Sequence, residues 1–134
     1  MIERVDHIGI AVENLADAVA VWEETLGLKV DEYETVEEQR VRVAKLEGGD
    51  DVIELLEPTD DESPIAKFLA KRGPGIHHIC LAVDDIEATL ARFKEKGLRL
   101  IDETPCIGAG GARIAFVHPK STSGVLIELS ESPK

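Results

Sequence analysis

Two histidines stand at matching positions in a sequence that repeats itself. The segment Val5 to Val12 returns as Ile76 to Val83 at an offset of 71 residues, so His7 matches His78. Taken singly, a histidine in an apolar segment is more often a hydrogen-bonded packing residue than a metal ligand. Because a histidine recurs at the same position in both copies, a functional site becomes a stronger interpretation than packing alone.

Two glutamates follow the same repeat. The segment 52–56 returns as 126–130 after three additional loop residues, so Glu54 matches Glu128. Each lies in an apolar strand-like segment, where an unpaired carboxylate would be costly and a neighbouring cation would offset that cost. Two imidazoles and two carboxylates suit a borderline-hard divalent ion. The sequence therefore predicts a metal site with four ligands, His7, Glu54, His78 and Glu128; the alternative is an inherited repeat with paired polar contacts.

The alternation of side chains along a strand places small residues beside each of these histidines. Residues two apart point to the same face. The histidine faces are His7, Gly9 and Ala11 in the first copy and His78, Cys80 and Ala82 in the second. We expect these faces to line a cavity, while the bulkier alternate residues pack under helices. By the same alternation His77 faces away from the site and is structural, and His118 either caps its loop or braces the site.

Each copy has the pattern of a strand, a helix and three further strands. The predicted strands are 4–12, 29–35, 39–46 and 51–56 in the first copy, and 76–83, 98–103, 112–118 and 124–129 in the second. The first helix is capped by Asn14, ends at Gly27 and buries a stripe of Leu15, Ala18, Val19, Trp22 and Leu26. The second follows Asp84-Asp85, buries Ile86, Leu90 and Phe93 and ends at Gly97, and a linker helix runs from its cap Ser63 to Gly73.

These elements predict an α+β fold in which two tandem βαβββ modules form a curved mixed sheet around a metal-centred cavity. The whole chain, 1–134, is expected to be a single domain, with module one at about 1–57, a linker at 58–75 and module two at about 76–134. The glycine-rich segment Gly108 to Gly111 lacks the context of a phosphate loop, so we interpret it as a flexible turn or an active-site flap.

Composition limits the possible partners. The formal net charge of -12 argues against nucleic-acid binding, which depends on clustered Lys and Arg. No apolar run long enough to cross a membrane and no signal-like N-terminus are present, which predicts a soluble cytoplasmic protein with no membrane partner. Cys80 and Cys106 are expected to be reduced thiols, with Cys80 buried.

Several segments resemble methylmalonyl-CoA epimerases of the vicinal oxygen chelate superfamily, also called glyoxalase-like. They are Asp6-His7-Ile8-Gly9-Ile10-Ala11-Val12, Ile53-Glu54-Leu55-Leu56-Glu57-Pro58, Ser63-Pro64-Ile65-Ala66-Lys67-Phe68-Leu69, His77-His78-Ile79 and His118-Pro119-Lys120 through Glu128-Leu129. The paired modules are common to the superfamily, whereas the Ser63 and His118 segments are more particular to the epimerases. The resemblance covers nearly the whole chain.

This resemblance implies epimerisation of (2R)- and (2S)-methylmalonyl-CoA by proton transfer at C2 through a metal-stabilised enolate, in propionate metabolism. It implies that Glu128 is both a metal ligand and a catalytic base. The implied cofactor is a divalent metal ion, which could be cobalt, manganese, zinc, nickel or magnesium. The implied partner is an acyl-CoA substrate, and the implied assembly is a homodimer.

The sequence departs from the family pattern at two positions. Some bacterial members have a second catalytic glutamate where this chain has Val43, so the second base is missing; Lys45, Glu47 and a metal-bound water are candidates. Glu54 replaces a glutamine ligand found in other members, and the added negative charge should make the cation bind more tightly and act as a weaker Lewis acid.

Three other functions share this scaffold. A glyoxalase I-type lyase would use the same enolate chemistry. An extradiol-type dioxygenase normally binds iron through two histidines and one carboxylate, so a fourth protein ligand counts against it. A non-catalytic small-molecule binding protein is the third alternative.

Overall fold

The computed structural model describes residues 1–133 and confirms the mixed α+β class, with eight strands and three α-helices among those residues. It divides into two compact units. The first unit contains residues 7–77, and the second contains residues 1–6 together with the chain from His78 onward. The module boundaries given above, near residues 57 and 76, stay a prediction.

The first unit is built on four strands in the order β2-β3-β4-β1. They are β1 (Ile2–Ala11, entering the unit at His7), β2 (Lys29–Val36), β3 (Val41–Gly48) and β4 (Asp51–Pro58). β1 runs parallel to β4, and the β2–β3 and β3–β4 pairs are antiparallel. Helix α1 (Leu15–Val19) continues as a π-helical segment (Ala20–Thr25), and α2 (Pro64–Arg72) follows β4.

The second unit repeats this arrangement with the strand order β5-β8-β7-β6. Its strands are β5 (Gly75–Val83), β6 (Cys106–Ile107), β7 (Arg113–Val117) and β8 (Ile127–Glu131), and its helix is α3 (Ile86–Glu95). β5 runs parallel to β8, whereas β7 is antiparallel to both β6 and β8. Short 3-10 turns form at Glu37–Gln39, Ala109–Gly111 and Pro119–Ser121.

Strand register confirms the sequence repeat. Gly9 lies opposite Glu54 in the β1–β4 pair, and Cys80 lies opposite Glu128 in the β5–β8 pair. Gly9 matches Cys80 and Glu54 matches Glu128 in the sequence repeat, so the two pairings are equivalent. Each unit therefore carries its glutamate at the same place beside its histidine strand.

The hydrophobic cores of the two units are also copies of each other. The first contains Val12, Leu15, Val19, Ala44, Leu46 and Leu55, and the second contains Val83, Ile86, Leu90, Ala115, Val117 and Leu129. Each residue of the first core corresponds to one residue of the second core in the sequence repeat. Burying a large aliphatic side chain of this kind contributes about 1.5–3 kcal/mol, so the helix-covered faces of the strands are the main source of stability in each unit.

Helix boundaries follow the predicted caps. The side chains of Asn14, Ser63 and Asp85 accept hydrogen bonds from backbone N–H groups in the first turns of α1, α2 and α3. These bonds satisfy donors that the helix itself leaves without partners. Gly27 and Gly97 adopt positive φ values of 83° and 86° where their helices end, as predicted for glycine.

A glutamate at the end of the last strand of each repeat, half-buried in the first and buried in the second, also holds a helix N-terminus. Glu57 accepts a hydrogen bond from the N–H of Leu15 at 2.8 Å, and Glu131 accepts one from the N–H of Ile86 at 2.8 Å. Arg42 and Arg113 pair with these glutamates at 3.1 and 3.4 Å. We did not identify these contacts from sequence.

The predicted strand at 98–103 is wrong. The segment makes an isolated bridge from Leu100 to Val117, and the strand that pairs with β7 on the side away from β8 is the short β6. The Asp102 carboxylate accepts the N–H of Phe116 at 2.8 Å, and the backbone N–H groups of Ile101 and Asp102 share the Phe116 carbonyl. Side-chain bonding of this kind competes with a regular ladder, so the segment turns away after one bridge.

The assignment of Leu26 to the buried stripe is also wrong, because its side chain is 56% exposed. The stripe assumed α-helical spacing, whereas the chain from Ala20 to Thr25 is π-helical and Leu26 donates its N–H to the Val21 carbonyl, five residues back. A wider turn rotates the following residues relative to α-helical spacing. Leu15 and Val19, which precede it, are buried as predicted.

Among residues 1–133, no helix combines the length and the apolar character that crossing a membrane requires. No disulfide forms between the two cysteines over the same residues, and Cys80 is fully buried, as predicted.

Candidate metal centre

The first unit brings His7 and Glu54 together. The parallel β1–β4 register places Gly9 opposite Glu54, so the histidine lies two residues away on the same face. His7 Nε2 is 3.4 Å from Glu54 Oε1, and the two side chains are only 8% and 10% exposed. Neither residue could be buried cheaply without a polar partner, and the β1–β4 register supplies one.

The second unit contains the equivalent pair. His78 Nε2 lies 3.0 Å from Glu128 Oε1, and these side chains are 6% and 9% exposed. The Phe116 ring meets the His78 imidazole edge-on, with ring centroids 5.9 Å apart, which restricts the orientation of the imidazole. Each unit thus supplies one nitrogen and one oxygen donor from a buried and packed environment.

Both pairs have the spacing expected of two ligands of one ion. Nitrogen and oxygen ligands lie about 2.0–2.2 Å from a divalent metal such as zinc, so neighbouring ligands at octahedral or tetrahedral angles are about 2.9–3.5 Å apart. The observed separations of 3.4 and 3.0 Å fall within that range. The donor chemistry fits as well, because imidazole and carboxylate ligands together suit a borderline divalent ion. The residues present therefore fit the metal that the sequence predicted.

The residues opposite the two glutamates differ. In the β3–β4 pair Lys45 faces Glu54, whereas in the β7–β8 pair Phe116 faces Glu128. Lys45 and Phe116 occupy equivalent positions of the repeat. The first unit thus has a cation beside its glutamate, and the second has an aromatic ring.

Val43 is buried, with 4% exposure, and shares the face of Lys45 by strand alternation. The position that carries a glutamate in some related proteins is therefore apolar on the face of the His7–Glu54 pair. Across the β2–β3 pair, the partner of Val43 is Glu34.

The other two histidines have structural contacts. The His77 ring meets Phe68 of α2 edge-on at 5.1 Å, in agreement with its predicted structural role. The Nδ1 atom of His118 accepts the N–H of Lys120 at 3.1 Å, which makes His118 the cap of its own 3-10 turn. Burial of the imidazole, followed by the charges of Arg99 and Lys120, lowers the pKa of His118 below its usual value.

The glycine-rich segment forms a 3-10 turn at Ala109–Gly111, with positive φ at Gly110 and Gly111. Its lack of a following α-helix agrees with the exclusion of a phosphate loop. Its interpretation as an active-site flap stays a prediction.

A cavity of about 100 Å³ lies in the first unit. Its lining residues are Leu15, Tyr33, Glu34, Thr35, Arg42 and Val43. Tyr33, Thr35 and Arg42 point to the strand face opposite Val43, and Leu15 belongs to the helix that covers that face. Glu34 and Val43 belong to the face of the His7–Glu54 pair, so the lining includes residues from both faces of the β2–β3 pair.

The sequence model of the glyoxalase/bleomycin resistance protein/dioxygenase superfamily matches residues 6–116. The chain belongs to this superfamily. The ethylmalonyl-CoA/methylmalonyl-CoA epimerase of Cereibacter sphaeroides is 42% identical over 133 residues, covering 98% of this chain and 99% of that protein.

Solved structures of methylmalonyl-CoA epimerases are also similar to this chain. The crystal structure of methylmalonyl-CoA epimerase from Mycobacterium tuberculosis superimposes with a TM-score of 0.94 at 41% identity, covering 99% of this chain and 90% of that one. A Streptomyces coelicolor methylmalonyl-CoA epimerase variant in complex with 2-nitronate-propionyl-CoA gives a TM-score of 0.92 at 41% identity, covering 98% and 96% of the two chains. The resemblance identified from sequence motifs is confirmed.

Proposed function

We propose that this protein is a methylmalonyl-CoA epimerase, which interconverts the (2R) and (2S) epimers of its substrate. The observation that carries the proposal is the near full-length similarity to epimerases of this name, in a chain that keeps two buried His–Glu pairs at equivalent positions of its repeat. Fold alone would not choose among the reactions of the superfamily. Identity of 41–42% over almost the whole of each chain is what selects the epimerases.

We further propose that His7, Glu54, His78 and Glu128 are ligands of one divalent ion, whose identity could be cobalt, manganese, zinc, nickel or magnesium. When bound, such an ion would supply positive charge to stabilise the negative charge that develops on the thioester oxygen of the substrate. The support is the donor chemistry, the burial of all four side chains and the ligand-like spacing within each pair.

In this proposal the Glu128 carboxylate accepts the proton from C2, and the electron pair of the broken C–H bond moves into the neighbouring thioester to give an enolate. A second proton-transfer group on the other side of the carbon then donates a proton to C2, which forms the C–H bond with inverted configuration. For the reverse epimer the two groups exchange roles, so no net proton is consumed. Phe116 and His78 pack around the Glu128 carboxylate, which limits its motion and its contact with water.

The remaining expectations are proposals of the same kind. We propose an acyl-CoA thioester as the small-molecule substrate, a homodimer as the assembly, and the cytoplasm as the location, with a role in propionate metabolism. Structural neighbours in complex with an acyl-CoA analogue support the first of these.

The proposed reaction is tested by incubating the purified protein with a single methylmalonyl-CoA epimer in deuterated water, with and without a chelator. We expect metal-dependent incorporation of deuterium at C2 together with loss of the starting configuration. Absence of both from the metal-loaded protein would contradict the proposal. Turnover of a glutathione hemithioacetal without exchange at C2 of methylmalonyl-CoA would favour a glyoxalase I-type lyase instead.

A further inference from the structure

Inversion at C2 requires two proton-transfer groups on opposite sides of the carbon, and so far only Glu128 is assigned. Because we propose that His7 and Glu54 hold the same ion as Glu128, candidates for the second group are the side chains on the strand face of the first unit that carries His7 and Glu54. Val43, on that face, has no ionisable group. Strands β2 and β3 carry three glutamates on the same face by alternation: Glu32, Glu34 and Glu47.

These three glutamates differ in how far their side chains are buried. Glu34 is half-buried, whereas Glu32 and Glu47 are exposed. A proton-transfer group must be held in a fixed position beside the reacting carbon, and a half-buried side chain is held more firmly than an exposed one. Glu47 also lies at the far end of β3, beside Gly48.

Cross-strand register then favours Glu34. It lies directly opposite Val43 in the antiparallel β2–β3 pair, and directly opposed Cβ atoms are about 4.5–5.5 Å apart. Valine ends one carbon beyond Cβ, so a longer glutamate on the neighbouring strand extends past it. Lys45 is a weaker candidate because it lies opposite the proposed ligand Glu54 in the β3–β4 pair, whereas Val43 lies opposite Leu56.

We propose that Glu34 is the second proton-transfer group of the epimerase reaction, acting from β2 in place of a carboxylate on β3. This inference rests on the proposed function. Glu34 gives one proton to C2 while Glu128 keeps the proton it removed, so no net proton is consumed, and exchange of both carboxyl groups with solvent restores them for the next turnover in the same direction. In the reverse direction Glu34 is the base.

The test compares Glu34→Gln with Glu32→Gln, a matched control that removes a carboxylate from the same strand and face. Each variant, loaded with metal, is given each epimer separately in deuterated water, and both inversion and deuterium incorporation are followed. We expect inversion by Glu34→Gln to fall about 100-fold or more, as for loss of a general acid or base. Glu32→Gln should stay within about threefold of the unmodified protein.

The pattern of isotope exchange distinguishes proton transfer from a structural role. With Glu128 intact, Glu34→Gln should still exchange the C2 proton of one epimer with solvent while exchange in the other is lost. Equal loss of exchange with both epimers, or inversion within threefold of the unmodified protein, would overturn the proposal. If the unmodified protein itself neither inverts nor exchanges, the proposed function fails and this inference fails with it.

A folding defect is addressed by Glu34→Asp, which keeps the carboxylate but shortens its reach by one carbon. If Glu34→Gln loses its cooperative unfolding transition, the decision rests on Glu34→Asp. Inversion reduced about tenfold or more, with exchange of one epimer retained, would support proton transfer by Glu34. Unreduced inversion or equal loss of exchange for both epimers would overturn it.

Discussion

Replacing Glu131 by alanine tests the structural role of the buried glutamate that holds the N-terminus of α3. Its carboxylate accepts the N–H of Ile86 at 2.8 Å, and the residue is only 8% exposed. Strand β8 carries both Glu131 and the proposed ligand Glu128, so the contact anchors a functional strand to its helix. We expect Glu131→Ala to destabilise the fold strongly for a single polar substitution.

The magnitude follows from this hydrogen bond. A hydrogen bond to a charged group contributes about 1.5–3 kcal/mol, and loss of a side-chain acceptor at a helix N-terminus costs about 0.5–2 kcal/mol. Because the Ile86 N–H is buried, water cannot replace the lost acceptor without rearrangement. The expected loss in the free energy of unfolding is therefore about 2–3 kcal/mol. The Arg113 contact adds little, because that side chain is 39% exposed and keeps Glu87 as a partner at 2.8 Å.

Urea unfolding followed by circular dichroism measures this loss directly, and thermal unfolding provides an independent reading. At this chain length 2–3 kcal/mol corresponds to a fall in Tm of roughly 6–12 °C. Glu57→Ala, which removes the equivalent but less buried bond to the Leu15 N–H, should cost about 1–2 kcal/mol.

Glu87→Ala is the matched control, because Glu87 also pairs with Arg113 but its side chain is 66% exposed. Its effect should stay within about 0.5 kcal/mol. If Glu131→Ala costs no more than Glu87→Ala, the helix N-terminus is not held by this carboxylate and the reasoning is refuted.

Two further predictions concern the histidines. Replacing His78 by alanine should weaken divalent-metal binding, measured by calorimetry, by more than about 100-fold, because even an outer-shell partner of a metal ligand is worth about 10–100-fold. The adjacent His77→Ala should leave metal affinity within about twofold and cost about 1 kcal/mol of stability through its Phe68 contact; the reverse result would contradict the ligand assignment. In an NMR titration the imidazole of His118 should show a pKa below 6.5, since burial disfavours its charged form. A folded-state pKa lowered in this way stabilises the fold above the unfolded pKa of about 6.5, and that contribution is lost as the pH falls towards the folded pKa. A midpoint at or above 6.5 would show that burial and the charges of Arg99 and Lys120 do not disfavour the charged imidazole.

Local signals in the sequence predicted most of the elements. Asn14, Ser63 and Asp85 cap their helices as expected, because a side-chain oxygen beside a helix start needs no distant partner. The failures occurred where distant contacts overrode local pattern. The segment from Leu98 to Glu103 has the composition of a strand, but the Asp102 carboxylate takes a backbone donor from Phe116 and ends the pairing.

The π-helical turn at Ala20–Thr25 is a failure of another kind. The buried stripe was predicted from the spacing of apolar residues in an α-helix. No local residue pattern indicated the wider π-helical turn that leaves Leu26 exposed. The roles of Glu57 and Glu131 could have been found, because Arg42 and Arg113 recur together with both glutamates along the repeat.

The sequence by itself determined the duplication, the His–Glu pairs and the family, because each depends on residues that recur at fixed offsets or in recognisable motifs. Tertiary structure decided which side chains meet across strands. The pairing of Gly9 with Glu54, of Lys45 with that same glutamate and of Glu34 with Val43 is a matter of register. A shift of one residue would turn every side chain of a strand to the other face, and the spacing within a single strand cannot fix its alignment with a neighbour.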